Sequence, residues 1–164
     1  MRVVAAAVQP QGTAFRLLTT DDLERRPPIG WRVKGVLPKK GLAAMYAPPG
    51  SGKGFLVIDL AMAISSGLNW FDRRVNACPV FYCALEGEEG IPQRVAAYRQ
   101  HHGHAGRDIW YLLQPFNLLK PDHVADLAKA IVDAGGAGGV TILDTLNRAA
   151  PGSDENDSRD MGYR

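Results

Sequence analysis

Three short stretches hold residues whose types and spacing can do chemistry. The first is "YAPPGSGKGF", in which Pro49, Gly50, Ser51, Gly52, Lys53, Gly54 and Phe55 approach the template G-x-x-x-x-G-K-[ST]. Glycines between a strand and a helix let backbone N–H groups converge on phosphate oxygens, and the helix N-terminus adds partial positive charge. Pro48 and Pro49 have no N–H, so the donors are expected from Gly50 to Gly54, with Lys53 reaching the terminal phosphates. Two positions depart from the template. Ala47 replaces its first glycine, and Gly54 replaces the Ser/Thr whose hydroxyl ligates Mg²⁺. Water can complete a Mg²⁺ shell, so nucleotide retention is expected to outlast metal positioning and turnover.

The second stretch is "VTILDTLNR". An apolar strand ending in Asp144 would bring a carboxylate beside the phosphate loop, where it can hold a metal-bound water. The third is "VFYCALEGEEG". Glu86 follows an apolar run directly, at the carboxyl edge where open α/β sheets bind ligands, and a carboxylate there can orient or deprotonate an attacking water. Glu88 and Glu89 lie further into the loop and are expected to be solvated.

These residues need a frame. "LAAMY" reads as a short buried strand running into the glycine loop. "KGFLVIDLAMAISS" reads as a helix that is apolar nearly all round, closed by Gly67. "CPVFYCALEG", "DIWYLLQP" and "GVTILD" read as strands. "GIPQRVAAYRQHHG" reads as an amphipathic helix with Val95 and Tyr98 inward and Arg94 and Arg99 outward. "DHVADLAKAIVDAG" reads as another, presenting Val124, Leu127, Ala128, Ile131 and Val132 to the core. Alternation of this kind indicates an α/β fold with a mainly parallel sheet flanked by helices. Residues 1–30, which contain Pro27-Pro28 and one helical turn at Asp21–Glu24, are expected to form a lead-in arm, and 31–164 the domain proper. "GWRVKGVLPKKG" is expected to turn at Pro38 to Gly41, and the residues after Asp144 to form a polar loop.

The remaining features argue against other chemistries. The 164-residue chain is 46% hydrophobic and has a formal charge of +2, a balance that neither demands nor forbids a polyanion partner, although a dedicated nucleic-acid binder usually shows a denser basic patch. Its two cysteines, Cys78 and Cys83, supply neither a zinc nor a disulfide framework and are expected as buried thiols. His101, His102 and His104 lack metal-ligand spacing and are expected in a solvated loop. "DENDSRD" lacks the sixth-position glycine of a Ca²⁺ loop. Trp31, Trp70 and Trp110 are expected in packing rather than in base stacking. No run reaches membrane-spanning length, and the opening apolar run is too short for a signal sequence, so the expectation is a cytoplasmic protein.

The order of "WRVKGVLPKKGLAAMYAPPGSGKGFLVIDLAMAIS", "VFYCALEGEEGIPQRVAAY" and "VTILDTLNRAAPGSDENDSRDM" resembles AAA-family ATPases of the RecA-like class, and within them the hexameric plasmid replicative helicases of the RepA type and their phage relatives. The resemblance runs from about Ile29 to the last residue. It implies a RecA-like P-loop core that binds ATP with Mg²⁺, hydrolyses it in a DNA-replication setting and assembles as a homo-oligomeric ring able to meet nucleic acid. It also implies that Lys53 contacts phosphate, Asp144 is the Walker B acid and Glu86 the catalytic glutamate, and that Arg148 to Asp157 lie near the nucleotide or a subunit interface. Members of that family continue beyond the point matching Arg164, so further strands and the residues acting on a neighbouring subunit are expected outside this chain. Gly54 keeps a second expectation open: a nucleotide-holding assembly or regulatory module with little hydrolysis.

Overall fold

A computed structural model describes residues 17–150. The acidic stretch 154–160 and the first part of the lead-in arm lie outside the described residues.

The longest element is helix α2, Lys53–Ser66, which follows α1 at Thr20–Glu24. Helix α2 starts directly after Gly52 and ends at Gly67, both in the left-handed region that a side chain disfavours (φ 82° and 69°). Ile58, Ala61, Met62, Ala63 and Ile64 are buried, so an apolar surface all round is matched by cover on several sides.

That cover comes first from a three-stranded parallel sheet. Strand β3, Val80–Ala84, is central and buried along its whole length; β4, Ile109–Leu112, pairs on one side and β5, Val140–Asp144, on the other. Side chains alternate between faces. Val80, Tyr82 and Ala84 join Ile58, Ala61, Met62 and Ile64 in one cluster under α2, with Ile91 and Tyr98 of helix α3, Ile91–His102. On the other face Phe81 stacks on Trp110, with ring centroids 5.2 Å apart. A Cβ at Gly136 would come within 2.5 Å of that phenyl ring, so the turn there closes on Phe81 only as glycine. Each fully buried aliphatic side chain in this cluster contributes roughly 1.5–3 kcal/mol.

The expected strands at 78–87, 108–115 and 139–144 therefore form, in shorter versions, as do the three long helices. Three expectations are corrected. "LAAMY" forms no strand: Leu42 and Tyr46 are 101% and 82% exposed, and the outer edge of β5 has no partner among the described residues. Five apolar residues between Gly41 and Pro48 carry no in–out alternation to set a register. Further upstream, Trp31–Val33 and Leu37–Pro38 form an antiparallel hairpin, β1 and β2, that turns at residues 34–36 rather than at Pro38 to Gly41. Finally, helix α4, Pro121–Asp133, forms with no fully buried residue: Leu127 and Ile131 are half-buried, and Val124 and Val132 face outward.

The hairpin docks through Arg32, which is buried. Its guanidinium donates to the carbonyls of Asn76, Ala77 and Gly138 at 3.0, 3.1 and 2.8 Å. Trp70 donates its indole N–H to Asp59 Oδ2 at 2.9 Å, closing the turn that follows α2.

Candidate functional site

The parallel register of β3 and β5 sets Ala84 opposite Asp144. Both strands thus end at one level, and the loops leaving them carry Glu86 and Thr145 side by side. Thr145 Oγ1 donates to Glu86 Oε2 at 3.3 Å, and the Leu85 N–H donates to the Asp144 carbonyl at 2.7 Å. The two candidate carboxylates of the sequence are therefore brought to one edge. The Asp144–Thr145 peptide is cis. Thr145 precedes a short helix α5, Leu146–Ala149, where the sequence suggested loop.

The Asp144 carboxylate has a neighbour that sequence reasoning missed. Tyr82 donates its hydroxyl to Asp144 Oδ2 at 2.6 Å. Burial first, then the hydrogen bond and charge of Asp144, push the Tyr82 phenol far above its usual range, while the Arg94 charge pulls it back. The phenol therefore stays protonated and remains a donor at every ordinary pH. Period-two alternation could have found it, since it puts Tyr82 on the face of Val80 and Ala84, two residues short of the strand end.

On the facing side is the glycine loop. Gly50 and Gly52 have φ of 77° and 82°, conformations that a Cβ would strain. Ser51 donates its N–H to the Pro48 carbonyl, whereas the N–H groups of Gly50, Gly52, Lys53 and Gly54 meet no backbone acceptor among the described residues. These are the orphan donors of a helix start, and with them comes the positive end of the α2 dipole. Lys53 opens α2 and is half-exposed; Phe55 is 62% exposed. Pro49 is exposed at the tip. The loop thus has the backbone donors that an anion needs.

Arg94 joins the two sides. It was expected outward with Arg99, yet it is half-buried and its guanidinium lies between Gly54, Gly87 and Gly90. Its Cζ also stands 6.0 Å from the centre of the Phe55 ring. One early-turn position on α3 is thus turned toward the sheet edge, while Arg99, five residues on, faces solvent.

For Mg²⁺ the donor set is incomplete. Gly54 has no hydroxyl, a positive guanidinium stands against it, and one oxygen of Asp144 already accepts from Tyr82. Among the described residues, no three His, Cys, Asp or Glu side chains cluster tightly enough to hold a metal ion. The residues do not make the hydroxyl–carboxylate pair that the loop template assumes.

The other sequence candidates fall elsewhere. Glu88 and Glu89 are exposed, as expected. Cys83 is buried and its thiol is pushed up to about 11 by that burial; Cys78 is half-buried, and both are free. His101 and His102 finish α3 instead of sitting in a loop, because Gly103 provides the C-cap; His102 stacks on Tyr98 at 4.2 Å. No described helix is long and apolar enough to cross a membrane.

A parallel sheet flanked by helices, with a glycine loop opening a buried helix and acidic strand ends at one edge, defines a P-loop nucleotide-binding core. The family model of the AAA domain matches residues 9–164, so the chain belongs to the AAA domain family, which makes it an ATP-binding ATPase domain. No curated protein and no solved structure matches the chain.

Proposed function

We propose that the chain binds ATP on the loop Pro49–Phe55 and hydrolyses it as the RecA-like core of a ring-forming ATPase that works on DNA, in the manner of hexameric plasmid replicative helicases. The observation that supports this most is the convergence of Glu86 and Asp144 on neighbouring strand ends. In this reading the loop amides and Lys53 hold the phosphates. Glu86 orients and deprotonates the attacking water, and Thr145 holds the Glu86 carboxylate in place through its hydroxyl. Tyr82 fixes the rotamer of Asp144, which presents its remaining oxygen lone pairs to the phosphate side. Residues 31–164 form the nucleotide-binding domain and 1–30 its lead-in. The setting is cytoplasmic, with nucleic acid met through the assembled ring.

The test pairs binding with turnover. Lys53→Ala should abolish ATP binding. Glu86→Gln should leave binding within about twofold while lowering hydrolysis roughly 10²- to 10⁴-fold, the usual contribution of a positioned base. Unchanged hydrolysis in Glu86→Gln would remove Glu86 from its role.

A second reading has its own support. Gly54 withholds the metal-side hydroxyl, which favours a module that retains nucleotide for assembly or regulation and turns it over slowly. Nucleotide binding together with the absence of measurable hydrolysis in the wild type would select this reading.

A further inference from the structure

The Arg94 guanidinium is bracketed by three glycines from two segments, Gly54 at the start of α2 and Gly87 and Gly90 in the loop after β3. A Cβ built at Gly54 would lie 3.4 Å from Arg94 Nη1 and 3.6 Å from Cζ. One at Gly90 would lie 3.3 Å from Nη2, and one at Gly87 3.7 Å from the same atom. Gly54 thus does more than omit a hydroxyl: it leaves the surface against which the guanidinium lies flat.

Among the described residues the guanidinium meets no anion. It makes neither an ion pair nor a hydrogen bond with them; the two ion pairs among them are Lys129 with Asp133 and His102 with Asp59. Glu86, Glu88 and Glu89 flank the glycines that touch it, yet none of them lies within ion-pair distance. The guanidinium is half-buried and keeps access to solvent, so its five N–H donors are free to take up the oxygens of a ligand in exchange for water. The oxygens it suits are planar or tetrahedral anions bound in fork geometry. Gly54, which the guanidinium faces, belongs with Gly52 and Lys53 to the start of α2, where the N–H groups of all three meet no backbone acceptor among the described residues.

We infer that Arg94 binds the phosphate chain of the nucleotide from within the same chain, standing where a hydroxyl-held divalent cation would otherwise offset its charge, so that the site retains nucleoside di- and triphosphates without a divalent cation. This rests on the proposed reading of the loop as the phosphate site. Gly54 and Arg94 are then one device: a Cβ at 54 would already touch the guanidinium, at 3.4 Å, a hydroxyl beyond it would compete for the same space, and without the guanidinium the glycine would be a bare defect.

The experiment measures ATP, ADP and AMP affinity of the full chain by calorimetry, in excess EDTA and again in Mg²⁺. Wild type is expected to bind ATP in EDTA within about threefold of its affinity in Mg²⁺, and AMP far more weakly, because charge-assisted contacts to phosphate carry the binding. Arg94→Ala should weaken ATP binding in EDTA roughly tenfold or more, the scale of one lost charged hydrogen-bonding group. Gly54→Ser should weaken binding in EDTA and restore a dependence on Mg²⁺. Arg94→Gln, closer in size, replaces the alanine variant should that one fail to fold by circular dichroism. Equal ATP affinity of wild type and either Arg94 variant in EDTA overturns the inference, as does loss of wild-type binding on adding EDTA. Failure of wild type to bind ATP under both conditions instead overturns the reading of the loop itself. If Lys53→Ala weakens binding while Arg94→Gln does not, only the role of Arg94 falls.

Discussion

The two sides of the site are built differently. The carboxylate side grows from β3 and β5, whose ladder fixes Ala84 against Asp144, and it is cross-tied by the Tyr82–Asp144 and Thr145–Glu86 hydrogen bonds. The phosphate side, from Leu42 to Gly52, has no ladder, exposes its apolar residues and is anchored where α2 begins. Acids must hold angle and distance to act on a water, and a paired sheet supplies that. A phosphate cradle is made of backbone N–H groups whose directions are set by two glycines, so it needs a firm helix behind it more than a firm strand before it.

The contrast can be broken from either side. The largest effect is expected from Lys53→Ala, which should abolish ATP binding while leaving the melting temperature unchanged; a calorimetric titration beside a thermal melt checks both. On the other side, Gly136→Ala should cost about 1–3 kcal/mol of unfolding free energy, because its Cβ meets Phe81 at 2.5 Å and the turn must shift away from the sheet; urea melts read this directly. Tyr82→Phe should cost about 1–2 kcal/mol and impair hydrolysis more than binding, since it frees the Asp144 rotamer without touching the loop. Leu42→Ser should change stability by less than about 0.5 kcal/mol, consistent with a fully exposed side chain; a larger loss would mean that the phosphate side is held more firmly than its exposure indicates.

A pH titration sharpens the same contrast. Cys83 and Tyr111 on the sheet have pKa values raised by burial, to about 11 and about 12, and Tyr82 is raised further. Folded-state values above the unfolded ones mean that the folded sheet holds these protons more tightly. Their stabilisation is complete below the unfolded value near 9 for the thiol, and it is lost as pH rises through 9 to 11, with the phenols following above 10. Unfolding free energy should therefore be flat up to about pH 8 and fall beyond it, with Cys83→Ala removing the earliest part of the fall.

Much of this was legible from pattern alone. A fourteen-residue apolar run after a glycine loop can hardly be anything but a buried helix, and α2 is that helix. Glu86 and Asp144 were legible because each follows an apolar run, and parallel strands of similar length end at one edge. Arg94 was not legible. Its helix has Val95 and Tyr98 as inward markers, and an arginine beside them reads as solvent-facing. What turns it inward is the space above Gly54, Gly87 and Gly90, and two of those glycines belong to a loop whose path no periodicity encodes. The hairpin at Trp31–Pro38 was missed because five strand residues around one turn give too short a signal, and "LAAMY" misled because apolar character without alternation fits several structures.

Arg32 has a consequence for the order in which the molecule is built. Its guanidinium reaches from the first strand to the carbonyl of Gly138, more than a hundred residues later in the chain. A ribosome exposes the hairpin early, but the last acceptor for its arginine leaves the exit tunnel only once nearly all of the described chain has been made. The hairpin is thus made long before it can be fully secured, and the buried arginine acts as the latch that closes when the sheet is complete.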